Sequence, residues 1–183
     1  MQNLGEEIAG EYLKHFKHCE FIEYNLNLNT PGIQGEIDVV GINLKKTEIY
    51  ICEVAVHVQG LGYVAANGQP DNVYRLMRKF LKDIDYANKY YADYKPHFML
   101  WSPIVKSAGT KAKNNPFNDV KEVKRKLRQE HGYDLELIVN NEYQKRLKEL
   151  RKWAGEQTKE LKSPVLRMMQ IEETLKRHLK IQP

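Results

Sequence analysis

The sequence predicts an α/β domain, a mixed sheet flanked by helices, with a C-terminal helical extension. Three observations lead there. Segments with apolar residues at helical spacing alternate with short β-branched and aromatic segments in the order α, β, β, β, α, β, α, β. The most β-prone of them, Glu48–His57, has β-branched residues at 49, 51, 54 and 56 and reads as a central strand. The last 42 residues carry only helical spacing, and a chain of 183 residues holds one ordinary domain with an appendage, not two full domains.

From Leu4 to His18 the residues Leu4, Ile8, Ala9, Tyr12, Leu13 and Phe16 recur at helical spacing, with Glu6, Glu7, Lys14 and Lys17 opposite, which predicts a first helix. Glu20–Leu28, rich in Phe, Ile and Tyr, predicts a strand. The turn residues Asn29-Thr-Pro-Gly follow, and Gly35–Asn43 then alternates as a second strand. A turn at Leu44–Thr47 leads into the strand Glu48–His57. Residues 59–72 carry three glycines and Gln69-Pro70-Asp71, a loop ending at a plausible helix cap. The helix that follows, to about Tyr91, has the apolar stripe Val73, Leu76, Met77, Phe80, Leu81, Ile84 and Ala87. Pro96–Pro103 reads as a buried strand bounded by proline. A lysine-bearing loop at 105–115, a helix over Asn118–His131 and a strand over Tyr133–Val139 complete the domain, assigned to residues 1–140. Residues 141–183 form two further helices, Glu142–Lys162 and Pro164–Lys180, broken at Ser163-Pro164.

Composition narrows the function classes. Hydrophobic residues at 42%, charged residues at 29% and a mean hydropathy of −0.65 describe a globular chain and not a disordered one. The N-terminus is acidic and amphipathic where a secretory signal needs a basic stretch and an apolar run, and no window reaches the ~20 apolar residues of a membrane span. The expectation is a cytoplasmic protein with no membrane association. Cys19 and Cys52 lack a CxxC partner and read as reduced, buried thiols. Neither GxGxxG nor GxxxxGK[ST] occurs, so the glycines of the 60–68 loop form no known phosphate cradle. The formal charge is +5, but residues 1–140 hold 18 basic against 18 acidic residues; the excess lies in 141–183, with 11 against 6.

The chemistry-bearing residues lie on the second and third strands. Alternation places Glu36 and Asp38 on one face of Gly35–Asp38, and Glu53, Ala55 and His57 on one face of the next strand. Carboxylates inside apolar strands are costly unless their charge is compensated. A divalent cation compensates it: Asp38 and Glu53 offer the hard oxygen ligands that Mg²⁺ or Mn²⁺ takes, with positions left for phosphate oxygens and an attacking water. The plainer alternative is a pair of carboxylates satisfied by lysines and backbone amides.

These residues resemble the PD-(D/E)XK nuclease superfamily, whose αβββαβ restriction-endonuclease-like core carries Asp at the end of the second strand and Glu-x-Lys in the third. Gly5-Glu6-x-x-Ala9-x-x-Tyr12-Leu13, Gly35-Glu-Ile-Asp-Val-Val40 and Ile51-Cys-Glu-Val54 are similar to the GE..A..YL, GEIDLI and FVEVK segments of its Holliday-junction-resolvase-like branch. The match spans residues 4–57. The resemblance implies a metal-dependent endonuclease hydrolysing DNA phosphodiester bonds, in restriction or repair, with Asp38 and Glu53 on Mg²⁺ (or Mn²⁺) and Glu6 in support. It also shows a departure. Ala55 stands where the family lysine orients or activates the water and offsets charge in the transition state. Four readings stay open: a lysine relocated to the next helix (Lys79 or Lys82), partial replacement by His57, a naturally inactive nucleic-acid-binding or assembly module, or an engineered knockout.

Two further surfaces draw notice. Lys106, Lys111 and Lys113, followed by Lys124, Arg125 and Arg128, form a dense basic run suited either to solvent or to a DNA backbone. In 141–183, Tyr143, Leu147, Leu150, Ala154 and Leu161 lie near heptad spacing, with Val165, Met168, Leu175 and Leu179 as a second stripe. These helices either pack on the domain or build a homodimer, the symmetry that double-strand cutting favours.

Overall fold

Helix α1 (Leu4–Phe16) begins at a capping box: the Asn3 side chain accepts from the Gly5 and Glu6 amides, and the Glu6 carboxylate returns to the Asn3 amide at 2.9 Å. The computed structural model describes residues 3–30, 33–109 and 114–181. After α1 the chain forms an antiparallel meander, β1 (Phe21–Thr30), β2 (Ile33–Asn43) and β3 (Glu48–Val54). Two crossovers follow, through α2 (Asn72–Tyr90) to β4 (Lys95–Ser102) and through α3 (Pro116–His131) to β5 (Leu135–Val139), and both new strands run parallel to their neighbours. The result is a mixed open sheet ordered β1-β2-β3-β4-β5, followed by α4 (Asn141–Glu156) and α5 (Pro164–Ile181).

Two apolar layers sandwich this sheet. On one face Leu76, Phe80 and Ile84 of α2 and Val120, Val123 and Leu127 of α3 pack on Ile37, Ile49, Ile51, Phe98 and Leu100. On the other, Ile8, Ala9 and Leu13 of α1 pack with Val39, Tyr50, Met99 and Trp101, joined by Leu150 and Ala154 of α4 and Val165, Leu166 and Met169 of α5. Parallel strands need both faces covered, and β4, with five consecutive buried residues, meets that condition. The helices of 141–183 are packed on the sheet and share a core with α1. On α5 the residues Met168, Ile171, Leu175 and Leu179 stay exposed. Among the described residues no helix is long and apolar enough to cross a membrane.

Boundaries differ from the sequence reading where side chains compete with regular structure. Helix α4 stops at Glu156, not Lys162, because the Gln170 amide of α5 donates to the Gln157 and Lys159 carbonyls while its oxygen accepts from the Leu161 amide. Helix α3 starts at Pro116, two residues before Asn118, because the Asn115 side chain caps it. Strand β3 ends at Val54, so Ala55 and His57 lie beyond its last residue.

One irregularity positions the chemistry. Ile37 packs into the α2/α3 layer, yet Val39, two residues on, packs into the α1 layer, and Val40 is back with α2. Regular alternation forbids this, so the strand turns over at Asp38. On the partner strand Asn25, between the pairs Tyr24↔Val39 and Leu26↔Ile37, sits at φ 52°, in the left-handed region that asparagine tolerates.

Candidate functional site

Turning over at Asp38 aims its carboxylate along the sheet toward the end of β3. Its Oδ2 accepts the Val54 amide at 2.6 Å. Glu53, facing α2 between Ile51 and Ala55, is 1% exposed. Helix α2 crosses above both strands and supplies cations one turn apart. Lys79 Nζ donates to Glu53 Oε2 and stands 3.9 Å from Asp38 Oδ2. Lys82 Nζ lies 3.3 Å from Glu53 Oε1 and 3.3 Å from Asp83 Oδ1, and donates to the Glu36 carbonyl. Asp83 is fully buried, and Lys82 is the cation beside it.

The electrostatics follow from burial and proximity. Desolvation, followed by the Glu53 charge, pushes the Asp38 carboxyl up to about 6. Desolvation works against the Lys79 ammonium, but the Glu53 and Asp38 carboxylates outweigh it and hold the group well above an ordinary lysine. Burial, then the Glu53 charge, raises the Asp83 carboxyl well above its ordinary value. Tyr63 is raised by burial and lies within the field of Lys79, Glu53 and Asp38; its amide donates to Asn72 Oδ1 at 2.6 Å.

The other sequence-level candidates divide. Ala55 is buried in the α2/α3 layer, its amide donating to the Trp101 carbonyl at 2.8 Å and its carbonyl accepting from Ser102 Oγ at 2.9 Å. A methyl there reaches neither carboxylate partner. His57 is exposed on the following loop, without a side-chain hydrogen bond among the described residues. Glu6 is absorbed by the α1 capping box and by Asn25 Nδ2 at 2.9 Å, so it anchors the helix against the residue across from Asp38. Glu7 caps α5 through Ser163 Oγ at 2.6 Å, and Glu11 pairs with His15 at 3.0 Å.

The basic run is also split. Lys106 is exposed after β4, beside Gly60, while Lys111 and Lys113 lie outside the described residues. Lys124 faces a cavity with Lys95 at the opposite end of the sheet. Arg125 is held by Glu122 and Gln129, and Arg128 by Asp134 at 3.3 Å. The cations brought to the carboxylates are on α2. With Gln34, Glu36 and Asp38, the residues Arg78, Lys79 and Lys82 line a cleft of about 640 Å³. Arg78 went unnoticed in the sequence because it stands among ordinary exposed helix residues. Asp83 left a readable signal: it falls at i+3 from Phe80 and i+7 from Leu76, inside the apolar stripe.

Among the described residues no group of three or more His, Cys, Asp or Glu side chains is arranged around a metal position. The two carboxylates, on adjacent strands, are the hard oxygen donors that a dication would need, although Lys79 and Lys82 already neutralise Glu53 and the Val54 amide donates to Asp38. Lys79, 35% exposed on a flexible stem, is the counter-charge such an ion would displace. No protein-family model matches the chain, and no curated protein matches it.

Proposed function

We propose that the protein is a metal-dependent endonuclease of the PD-(D/E)XK kind, with a restriction-endonuclease-like core, hydrolysing DNA phosphodiester bonds. The observation that carries this reading is the meeting of Asp38, Glu53 and Lys79 at the point where β2 turns over beside the end of β3. Asp38 and Glu53 would hold Mg²⁺ or Mn²⁺. The ion would supply Lewis-acid stabilisation of the phosphate oxygens and a more acidic bound water. Lys79 reaches the carboxylate pair from α2, in the role that Ala55 cannot take; its ammonium offsets charge on the phosphate oxygens. Lys82, tied to the Glu36 carbonyl and to Asp83, fixes Glu53 from behind. Glu6 contributes by orienting α1, and the exposed His57 is free to approach a bound strand.

Supercoiled, linear and branched DNA, incubated with Mg²⁺ or Mn²⁺, tests the reading: cleavage by the wild type is expected to vanish in Asp38→Ala and Glu53→Ala and to fall at least a hundredfold in Lys79→Met. Cleavage that persists in both carboxylate variants overturns it.

A second reading, a catalytically inactive nucleic-acid-binding or assembly module, is favoured by one observation: lysines already neutralise Glu53 from two sides. A silent wild type that gains Mg²⁺-dependent cleavage on Ala55→Lys would mark a disabled nuclease; silence in both, with no Mn²⁺ uptake by calorimetry, supports the module. The homodimer belongs to the same proposal and is read by sedimentation.

A further inference from the structure

Helix α2 presents Arg75, Arg78, Lys79 and Lys82 at i, i+3, i+4 and i+7, one face extending about 10 Å along the axis. The four cations are not equivalent. Arg75 is engaged by Asp71 at 3.1 Å and by the Val64 carbonyl at 3.1 Å, over the Tyr63 ring. Lys79 and Lys82 are committed to Glu53. Arg78 is exposed, lines the same cleft as Asp38, and has no carboxylate partner among the described residues. Its positive charge is therefore available to a ligand.

The opposite wall of this cleft is β2, with Gln34, Glu36 and Asp38. Gly35 adopts φ +131°, and a Cβ there would come within 3.1 Å of Lys82 Cδ, so at this position the strand backbone lies directly against the Lys82 stem. A polyanion entering the cleft meets Glu36 and Asp38 on that side, and only α2 offsets their repulsion. The α3 cations do not compete for it: they lie outside this cleft, and Arg125 and Arg128 already hold acidic partners.

We propose, deepening the nuclease reading on which it rests, that this face of α2 is the surface that takes the DNA phosphodiester backbone, with Arg78 as its anchoring contact. Arg78 grips a phosphate beside the one presented to Asp38 and Glu53, and so acts as a positioning residue. The basic helix α3 is a solvated surface.

Binding of a fluorescein-labelled DNA duplex, followed by anisotropy with Ca²⁺ in place of Mg²⁺ and across a salt series, tests this. Arg78→Ala is expected to lower affinity about tenfold and to reduce the slope of log K against log salt by about one. The paired variant Arg125→Ala/Arg128→Ala is expected to change both less. Equal affinity and slope for Arg78→Ala and wild type, a larger loss in the α3 variant, or a wild type that does not bind the duplex overturns the inference. Its failure is separable from that of the nuclease reading. Mg²⁺-dependent cleavage that is indifferent to Arg78→Ala sinks only the inference. Binding that Arg78→Ala weakens, without any hydrolysis, sinks only the nuclease.

Discussion

At the scale of single residues, Asp38 illustrates how a fold holds an acid it has not fully compensated. The Asp38 pKa is raised from 3.8 to about 6, so the native state binds its proton more tightly than the unfolded chain does. The stability this confers is complete below pH ~4 and is lost as pH rises through about 6, an effect on the order of 2–3 kcal/mol. Asp38→Asn, which keeps an acceptor for the Val54 amide, should stabilise the metal-free protein by that order at pH 7 and by nothing at pH 4. Urea melts in chelator at both pH values check it; a gain of equal size at both would show that the carboxylate charge is not the cause. The two lysines also differ in a measurable way. Lys82 is 14% exposed against two fully enclosed acids, and Lys79 is 35% exposed. Lys82→Met should destabilise by about 3 kcal/mol and Lys79→Met by about 1 kcal/mol. The reverse order in denaturant melts would remove Lys82 from its supporting position.

At the scale of elements, α1 and α2 reach the site by different means. Helix α1 is held by its N-terminal turn: Asn3 and Glu6 cap each other, and Glu6 extends to Asn25, opposite the reversal at Asp38. Asn3→Ala should cost about 1 kcal/mol in thermal melts. Over β2 the same helix lies close enough that a Cβ on Gly41 would meet Leu13 Cδ1 at 2.8 Å and Cys19 Sγ at 3.0 Å. Gly41→Ala should therefore cost about 1–3 kcal/mol by overpacking, with little change in Ca²⁺-supported DNA binding. Helix α2 is held by its apolar stripe, and it is the cations beside that stripe that enter the cleft. Lys79 and Lys82 could be picked out in the sequence as cations on the helix that follows β3. Their partners could not, because a helix's rotation about its axis is decided by Leu76, Phe80 and Ile84 settling on the sheet.

At the scale of the whole molecule, the sheet has two covered faces, and α4 and α5 cover part of one. Leu166 is 1% exposed in the core shared with α1, whereas Leu175, on the same helix, is 51% exposed. Leu166→Ala should cost about 2–4 kcal/mol and Leu175→Ala under about 0.5 kcal/mol. Equal small effects in urea melts would mean that 141–183 contributes little to the fold of the sheet.

Local pattern was enough to determine the α/β class, the order of eight elements in the first 140 residues, the helical nature of the remainder and the two strand carboxylates as the centre of interest. Those features rest on periodicity, turn residues and the penalty for acids in apolar strands, all properties of short stretches of chain. Tertiary structure alone decided that β2 turns over at Asp38, that Glu6 caps a helix, that Asp83 is enclosed behind Glu53, and that α2, not α3, brings its cations to the site. Each of these depends on contacts between residues distant in sequence. Packing two apolar layers onto one sheet fixes which side of every helix turns inward, and no local rule encodes that rotation.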